Sequence, residues 1–320
     1  MVSSDGPKSS ASATASERAI TVSGVHRSFG TAEALRGVDF TAAFGEVTGM
    51  VGPNGAGKTT LLLILATLLA PDQGQVRISG LDPMTETTDV RRLLGWVPDV
   101  FGFYENLTAR EYLAFFGEAR RLSRNLAAER ATTMLGLVRM EEWADRPVHV
   151  LSRGQKQRLA FASALVHEPT VLLLDEPTAG LDPSSRAEFL RLVRMLAEQG
   201  TAVIVSSHLL ADLEQVADHV VFIDRGVTVG ERRLAGPSTA RTLRTWRLHS
   251  LDDSRLIATL GELGVDVTSS SSRGVDVVLD SDQAAATLIA ALVAAAVPVV
   301  SCGPVETSLE ATYFELTVPE

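Results

Sequence analysis

Val47-Thr48-Gly49-Met50-Val51 runs straight into Gly52-Pro53-Asn54-Gly55-Ala56-Gly57-Lys58-Thr59, and Thr60 opens an apolar run that reaches Leu69 before Pro71. The first five residues are strand formers and the last ten have helical spacing, so the order is strand, loop, helix, with the helix stopped by Pro71. The loop fits G-x-x-x-x-G-K-[ST]. Its glycines let the backbone curl until successive N–H groups converge on one anion, and the positive end of the helix adds to that field. On this reading Lys58 reaches the β- and γ-phosphates of a nucleotide and the Thr59 hydroxyl ligates Mg²⁺. A glycine-rich turn ahead of a buried helix would share the composition but has no need of the lysine. Lysine is scarce here: of 29 basic residues only Lys8, Lys58 and Lys156 are lysines. Where arginine is the default, a retained ammonium marks a site that wants a compact charge rather than a planar fork.

Downstream, Val171-Leu172-Leu173-Leu174 ends in Asp175-Glu176. The apolar run reads as a strand buried on both faces. Two carboxylates at its end point to the crevice where ligands bind in parallel sheets. Asp175 is placed to hold Mg²⁺, through water, and Glu176 to orient and deprotonate an attacking water. The alternative is a solvated strand end.

Strand-like Ile20–Val22, Val38–Phe40 and Gly74–Gly80 precede a mainly helical stretch at about 100–165, carried by Thr108–Leu122 and Ala127–Leu137. Val171–Leu174, helical Ser184–Glu198 and Ala202–Ser206 then give the β-α-β order of a largely parallel sheet. His219–Ile223 and Val227–Gly230 flank Asp224-Arg225-Gly226 as a hairpin. The texture changes beyond Gly236-Pro237, where strands, an Ala-rich helix and a Ser-rich break at Ser269–Ser272 suggest a small α/β domain. The expected division is a disordered tail at 1–18, a nucleotide-binding domain at 19–238 and an accessory domain at 239–320.

Composition narrows the class. At 320 residues and 45% apolar the chain can bury a sizeable core, and one cysteine, Cys302, excludes an internal disulfide framework. That suits a reducing compartment. A net charge of −10 argues against a general nucleic-acid binder. The run Ala284–Val300 approaches membrane-span length, but it is alanine-rich and broken by Pro298, so a packed helix and a short strand are expected.

Four further segments make the chain resemble the nucleotide-binding domains of ABC transporters. Leu151-Ser152-Arg153-Gly154-Gln155 resembles their signature, upstream of the acidic strand. Ala179-Gly180-Leu181-Asp182 matches the D-loop, Ser206-Ser207-His208 the switch histidine, and Phe29 the aromatic that stacks on adenine. Taken singly, Phe29 could be core and His208 a capping or core histidine. The resemblance covers about Ile20 to Pro237. It implies an α/β P-loop NTPase core with an antiparallel β subdomain and a helical subdomain. It also implies that two copies meet head to tail, with each ATP between one phosphate loop and the partner's Ser152, Arg153, Gly154 and Gln155. Membrane permease subunits would complete the assembly, placing this chain in the cytoplasm on the inner face of the cell membrane.

One departure stands out. After Leu94-Gly95-Trp96-Val97-Pro98 the family usually places glutamine, and here stands Asp99. Aspartate could hold the metal through water, or the loop could serve mainly to couple to the permease. Beside it, Phe101, Phe103 and Tyr104 are either core or a pocket for a permease helix. The segment Thr307–Glu310 to Phe314–Thr317 resembles the closing motif of drug- and lipid-export ATPases, which points to export. The other class left open is an ABC ATPase acting on ribosomes or nucleic acid.

Overall fold

The structure, a computed structural model, describes residues 18–234, 244–271 and 274–304, with Leu309 and Leu316 besides. Residues 1–17 of the expected tail, the Gly236-Pro237 boundary and most of the closing motif lie outside these described residues, while Arg18, counted with the tail, instead opens the first strand. The chain divides into two compact units, residues 1–236 with 316–320, and residues 237–315. Leu316 therefore groups with the first unit, whereas the sequence reading ran the accessory domain to 320. The reason is local: a Cβ on Gly230 would stand 2.7 Å from a Leu316 methyl.

In the first unit β1 (Arg18–Phe29), β2 (Ala32–Ala43) and β4 (Gln73–Ile78) form an antiparallel sheet ordered β2-β1-β4. A second sheet holds β3 (Val47–Val51), β5 (Leu94–Val97), β6 (Val171–Asp175), β7 (Ala202–Ser207), β8 (His219–Asp224) and β9 (Val227–Arg233), in the order β5-β6-β7-β3-β8-β9. All its pairs are parallel except β8–β9. In that hairpin Arg225 (φ 45°) and Gly226 (φ 80°) both take positive φ, the requirement of a two-residue turn that follows the strand twist. Leu172, Leu173 and Leu174 are fully buried, each contributing about 2 kcal/mol. That burial holds the ends of β6 and β7 side by side, with Asp175 opposite Ser206.

Helix α1 (Lys58–Leu65) is shorter than its apolar run. It ends because Thr67 turns left-handed (φ 62°), not at Pro71. Arg91 of α2 (Thr87–Leu93) holds that turn, donating to Thr67 Oγ1 at 2.6 Å and to its carbonyl at 3.1 Å. The helical stretch comprises α3 (Ala109–Ala119), α4 (Arg124–Leu137) and α5 (Arg153–Leu165). Thr108 with Glu111, and Ser152 with Gln155, close reciprocal caps at the starts of α3 and α5. Pro183 opens α6 (Pro183–Glu198), and α7 (Leu210–Val216) follows β7.

The second unit is a four-stranded antiparallel sheet, β11-β12-β10-β13, with two helices. Its elements are β10 (Arg244–Ser250), α8 (Asp253–Glu262), β11 (Val267–Ser271), β12 (Gly274–Leu279), α9 (Asp282–Ala294) and β13 (Val299–Pro304). Leu248, Leu256, Leu260, Val275, Val277 and Leu292 form its core. The apolar run after Ala284 is a helix and then a strand, as expected. The Ser-rich segment is not a break: Ser269–Ser271 belong to β11, paired with Gly274–Asp276. An edge strand packs little, so serines, which suit a turn, are also tolerated there. Among the described residues no helix is long and apolar enough to cross a membrane.

Candidate functional site

Between β3 and α1 two of the phosphate-loop glycines, Gly52 and Gly57, are dictated by close approach. A Cβ on Gly52 would sit 2.1 Å from the Ile223 carbonyl oxygen, and one on Gly57 (φ 106°) 2.6 Å from that of Ala34. Asn54, Gly55 and the Thr59 side chain are exposed, so the loop and a hydroxyl face solvent. Lys58 is buried, and its Nζ donates to Gly52 O at 2.6 Å and Pro53 O at 3.2 Å. Burial pushes its pKa down, while the Glu176 and Asp175 carboxylates oppose that shift. A buried ammonium curled over its own loop, with two carboxylates in range, fits a site for a metal–polyphosphate.

The acidic strand end is built from two strands. Asp175, 2% exposed, accepts from Ser206 Oγ at 2.5 Å, and the same oxygen accepts the Glu176 N–H at 3.0 Å. Glu176 is left-handed (φ 48°), an arrangement costing about 1–3 kcal/mol that its surroundings must hold. Its Oε2 lies 2.7 Å from His208 Nδ1, at the end of β7. Residues Asp175, Glu176 and His208 are thus brought together as a carboxylate–histidine group. Ser206 was missed as a partner; its signal was its place in Ser206-Ser207-His208, one strand over from Asp175.

Asp99 is exposed and lines a cleft of about 390 Å³ with Glu176, Arg153, Lys156 and Phe103. Its neighbours in the aromatic loop divide. Phe103 packs on Tyr112 with ring centroids 5.4 Å apart, whereas Tyr104 is 56% exposed. Because no hydrogen bond or ion pair among the described residues holds the exposed Asp99, Asp99→Gln is expected to leave Mg²⁺-dependent ATP hydrolysis within a few-fold. A steady-state rate lowered by more than about tenfold would make Asp99 indispensable. Phe29, 50% exposed, is not core; the Arg27 guanidinium lies 5.0 Å from its ring centroid.

The signature is a helix N-terminus. Ser152 Oγ accepts from Gln155 N at 3.3 Å and Gln155 Oε1 accepts from Ser152 N at 2.8 Å. Gln155 therefore has a local capping role that its position, three after a serine, makes legible. Asp182 is likewise a cap, accepting from Ser184 N and Ser185 N at 3.0 Å, and the Ser185 hydroxyl first, with these backbone bonds, pulls its pKa down. Ser152, Gly154, Gln155 and Asp182 line a separate cleft of about 400 Å³ with Trp143 and Arg158. No phosphate-loop residue lines that cleft.

Residues 35–179 match the family described as ABC transporter. DrrA3, a daunorubicin resistance ATP-binding protein of Streptomyces coeruleorubidus, is 40% identical over 215 residues, 67% of this chain and 68% of that one. The chain belongs to the ABC transporter family. Nod factor export ATP-binding protein I of a Rhizobium species (strain N33) is 35% identical over 216 residues, 68% of this chain and 71% of its own. A dimeric bacterial ABC transporter cassette superposes with a TM-score of 0.62 at 29% identity, covering 68% of this chain and 99% of that one. As an ABC ATP-binding protein the chain binds and hydrolyses ATP.

Proposed function

We propose that two copies of this chain meet head to tail and couple ATP hydrolysis to export through separate permease subunits, from the cytoplasmic side of the cell membrane. The observation that carries the dimer is the separation of clefts. Ser152 and Gly154 open on one, Glu176 on another that Arg153 also lines, and no phosphate-loop residue lines either of the two. A second copy would bring the helix N-terminus of α5 to the γ-phosphate held at the partner's phosphate loop. Export is supported by the relatives named for drug resistance and Nod factor export. The second unit, residues 237–315, would serve as an accessory domain.

Within each site Phe29 would stack on adenine, and Gly52 to Thr60, with Pro53, Asn54 and Ala56 shaping the curve, would cradle the phosphates. Lys58 would leave its own carbonyls to meet the β- and γ-oxygens. Mg²⁺, held by Thr59 and Asp175 with Asp99 at the cleft wall, would neutralise charge on those oxygens. Glu176 takes a proton from the attacking water, and His208 holds its carboxylate in place.

The test is hydrolysis measured against enzyme concentration. Activity rising faster than linearly at low concentration is expected, because each site needs two chains. Strictly proportional activity over that range would show that one chain suffices, and the composite site would be withdrawn.

A further inference from the structure

Phe29 closes β1 opposite Ala32, at the hairpin that leads into β2. Two residues further along β2 the Ala34 carbonyl lies against Gly57, so the hairpin that carries Phe29 abuts the phosphate loop. Two residues back along β1, Arg27 lays its guanidinium over the Phe29 ring, 5.0 Å from the centroid. Asp72, just past Pro71, fixes that pose. Its Oδ1 accepts from Arg27 Nη1 at 2.6 Å and its Oδ2 accepts the Ser28 N–H at 2.7 Å. Its own N–H donates to the His26 carbonyl at 2.8 Å. One aspartate therefore holds three successive residues of β1. Arg27 Nε is buried with no hydrogen-bond partner among the described residues, an arrangement that costs stability rather than adding to it. With a cation over one face, the half-exposed ring has one face left for a ligand.

We propose that Arg27, held by Asp72, is a positioning residue for the nucleotide base: it fixes the Phe29 ring and backs the face that stacks. The inference rests on the reading of Phe29 as the aromatic that stacks on adenine, and deepens it. A half-exposed phenylalanine at a strand end turns between rotamers, and stacking on a base costs it that freedom. Arg27 removes the freedom before the nucleotide arrives, which is how preorganisation adds affinity. The guanidinium also draws on the electron density of the ring, so the free face attracts an electron-rich purine more strongly than an unbacked phenyl would. Arg27 acts through the ring and touches no phosphate, so its effect falls on the base alone.

The experiment is hydrolysis against ATP concentration for the unaltered full chain, Arg27→Ala, Phe29→Ala and the two combined. Inhibition by inorganic tripolyphosphate, which has no base, is measured on each. Arg27→Ala is expected to raise half-saturating ATP about two- to fivefold, with kcat and tripolyphosphate inhibition within about twofold. Arg27→Gln keeps a donor for Asp72 and removes only the charge, and it should show the same split even where Arg27→Ala folds poorly. Combined with Phe29→Ala, Arg27→Ala should add nothing, because the ring it acts through is gone. Effects that multiply in the combined variant overturn the proposal. So does an equal loss of tripolyphosphate inhibition, which would make Arg27 a phosphate contact or a prop for the loop. Unchanged half-saturating ATP in both Arg27 variants, with Phe29→Ala impaired, overturns it and leaves the stacking reading standing. An unimpaired Phe29→Ala removes the stacking reading itself, and this inference with it.

Discussion

Glu176→Gln is expected to lower turnover by about 100- to 10,000-fold while ATP binding stays within a few-fold. The substitution keeps the size, the two-atom fork and the backbone of the side chain and removes only its ability to accept a proton. Binding should survive because the phosphate loop, Lys58 and Asp175 are untouched. The left-handed backbone at Glu176 should also survive, since Ser206 holds its N–H through both Oγ and the main-chain carbonyl. The bond to His208 Nδ1 changes character, from carboxylate to amide. Single-turnover hydrolysis and equilibrium ATP binding on the same preparation check both halves. A Glu176→Gln chain that turns over at near-normal rate would move the base to another group on the cleft, with Asp99 the first candidate.

Lys58→Met is expected to lower hydrolysis by more than about 100-fold and to weaken ATP binding as well, in contrast to Glu176→Gln. The ammonium would lie against charge that develops on the transferred phosphate, and methionine keeps the stem without the charge. Stability should move the other way or not at all. Burial depresses the Lys58 pKa in the folded chain, so at neutral pH the charged form is held at a cost that methionine does not incur. The opposing pull of Asp175 and Glu176 limits that gain. A melting curve at neutral pH, together with nucleotide binding, separates the two roles. A folded Lys58→Met chain that hydrolyses ATP normally would remove Lys58 from the chemistry, and a large drop in melting temperature would make it a structural ion partner instead.

Much of the site is legible in the sequence because its parts are local. Gly52 to Thr59 is eight consecutive residues, and the strand before it and helix after it are set by composition. Asp175 and Glu176 announce themselves as charges ending an apolar run. The errors were local too. The end of α1 was read from Pro71, but Thr67 turned the chain earlier, held by an arginine 24 residues away. The serines at 269–271 read as a break because their side chains suit a turn, yet they pair with Gly274–Asp276 in an edge strand that accepts them.

The sequence by itself determined which groups this protein can use: an ammonium beside a glycine loop, two carboxylates ending a buried strand, a serine capping a helix. Tertiary structure decided which of them meet. Ser206 serves Asp175 and Glu176 because β6 and β7 pair in parallel with one register, 31 residues apart in the chain. Arg153 lies on Gly180 because α5 packs beside the loop that follows β6. Lys58 is buried against its own loop and Ser152 lines a cleft that no phosphate-loop residue lines, although both are needed by one phosphate on the proposed reading. Turns and caps form within a few residues, where backbone sterics and neighbouring hydrogen bonds are enough. Register and packing depend on the burial of whole strands and helices, and no short stretch of sequence contains that sum.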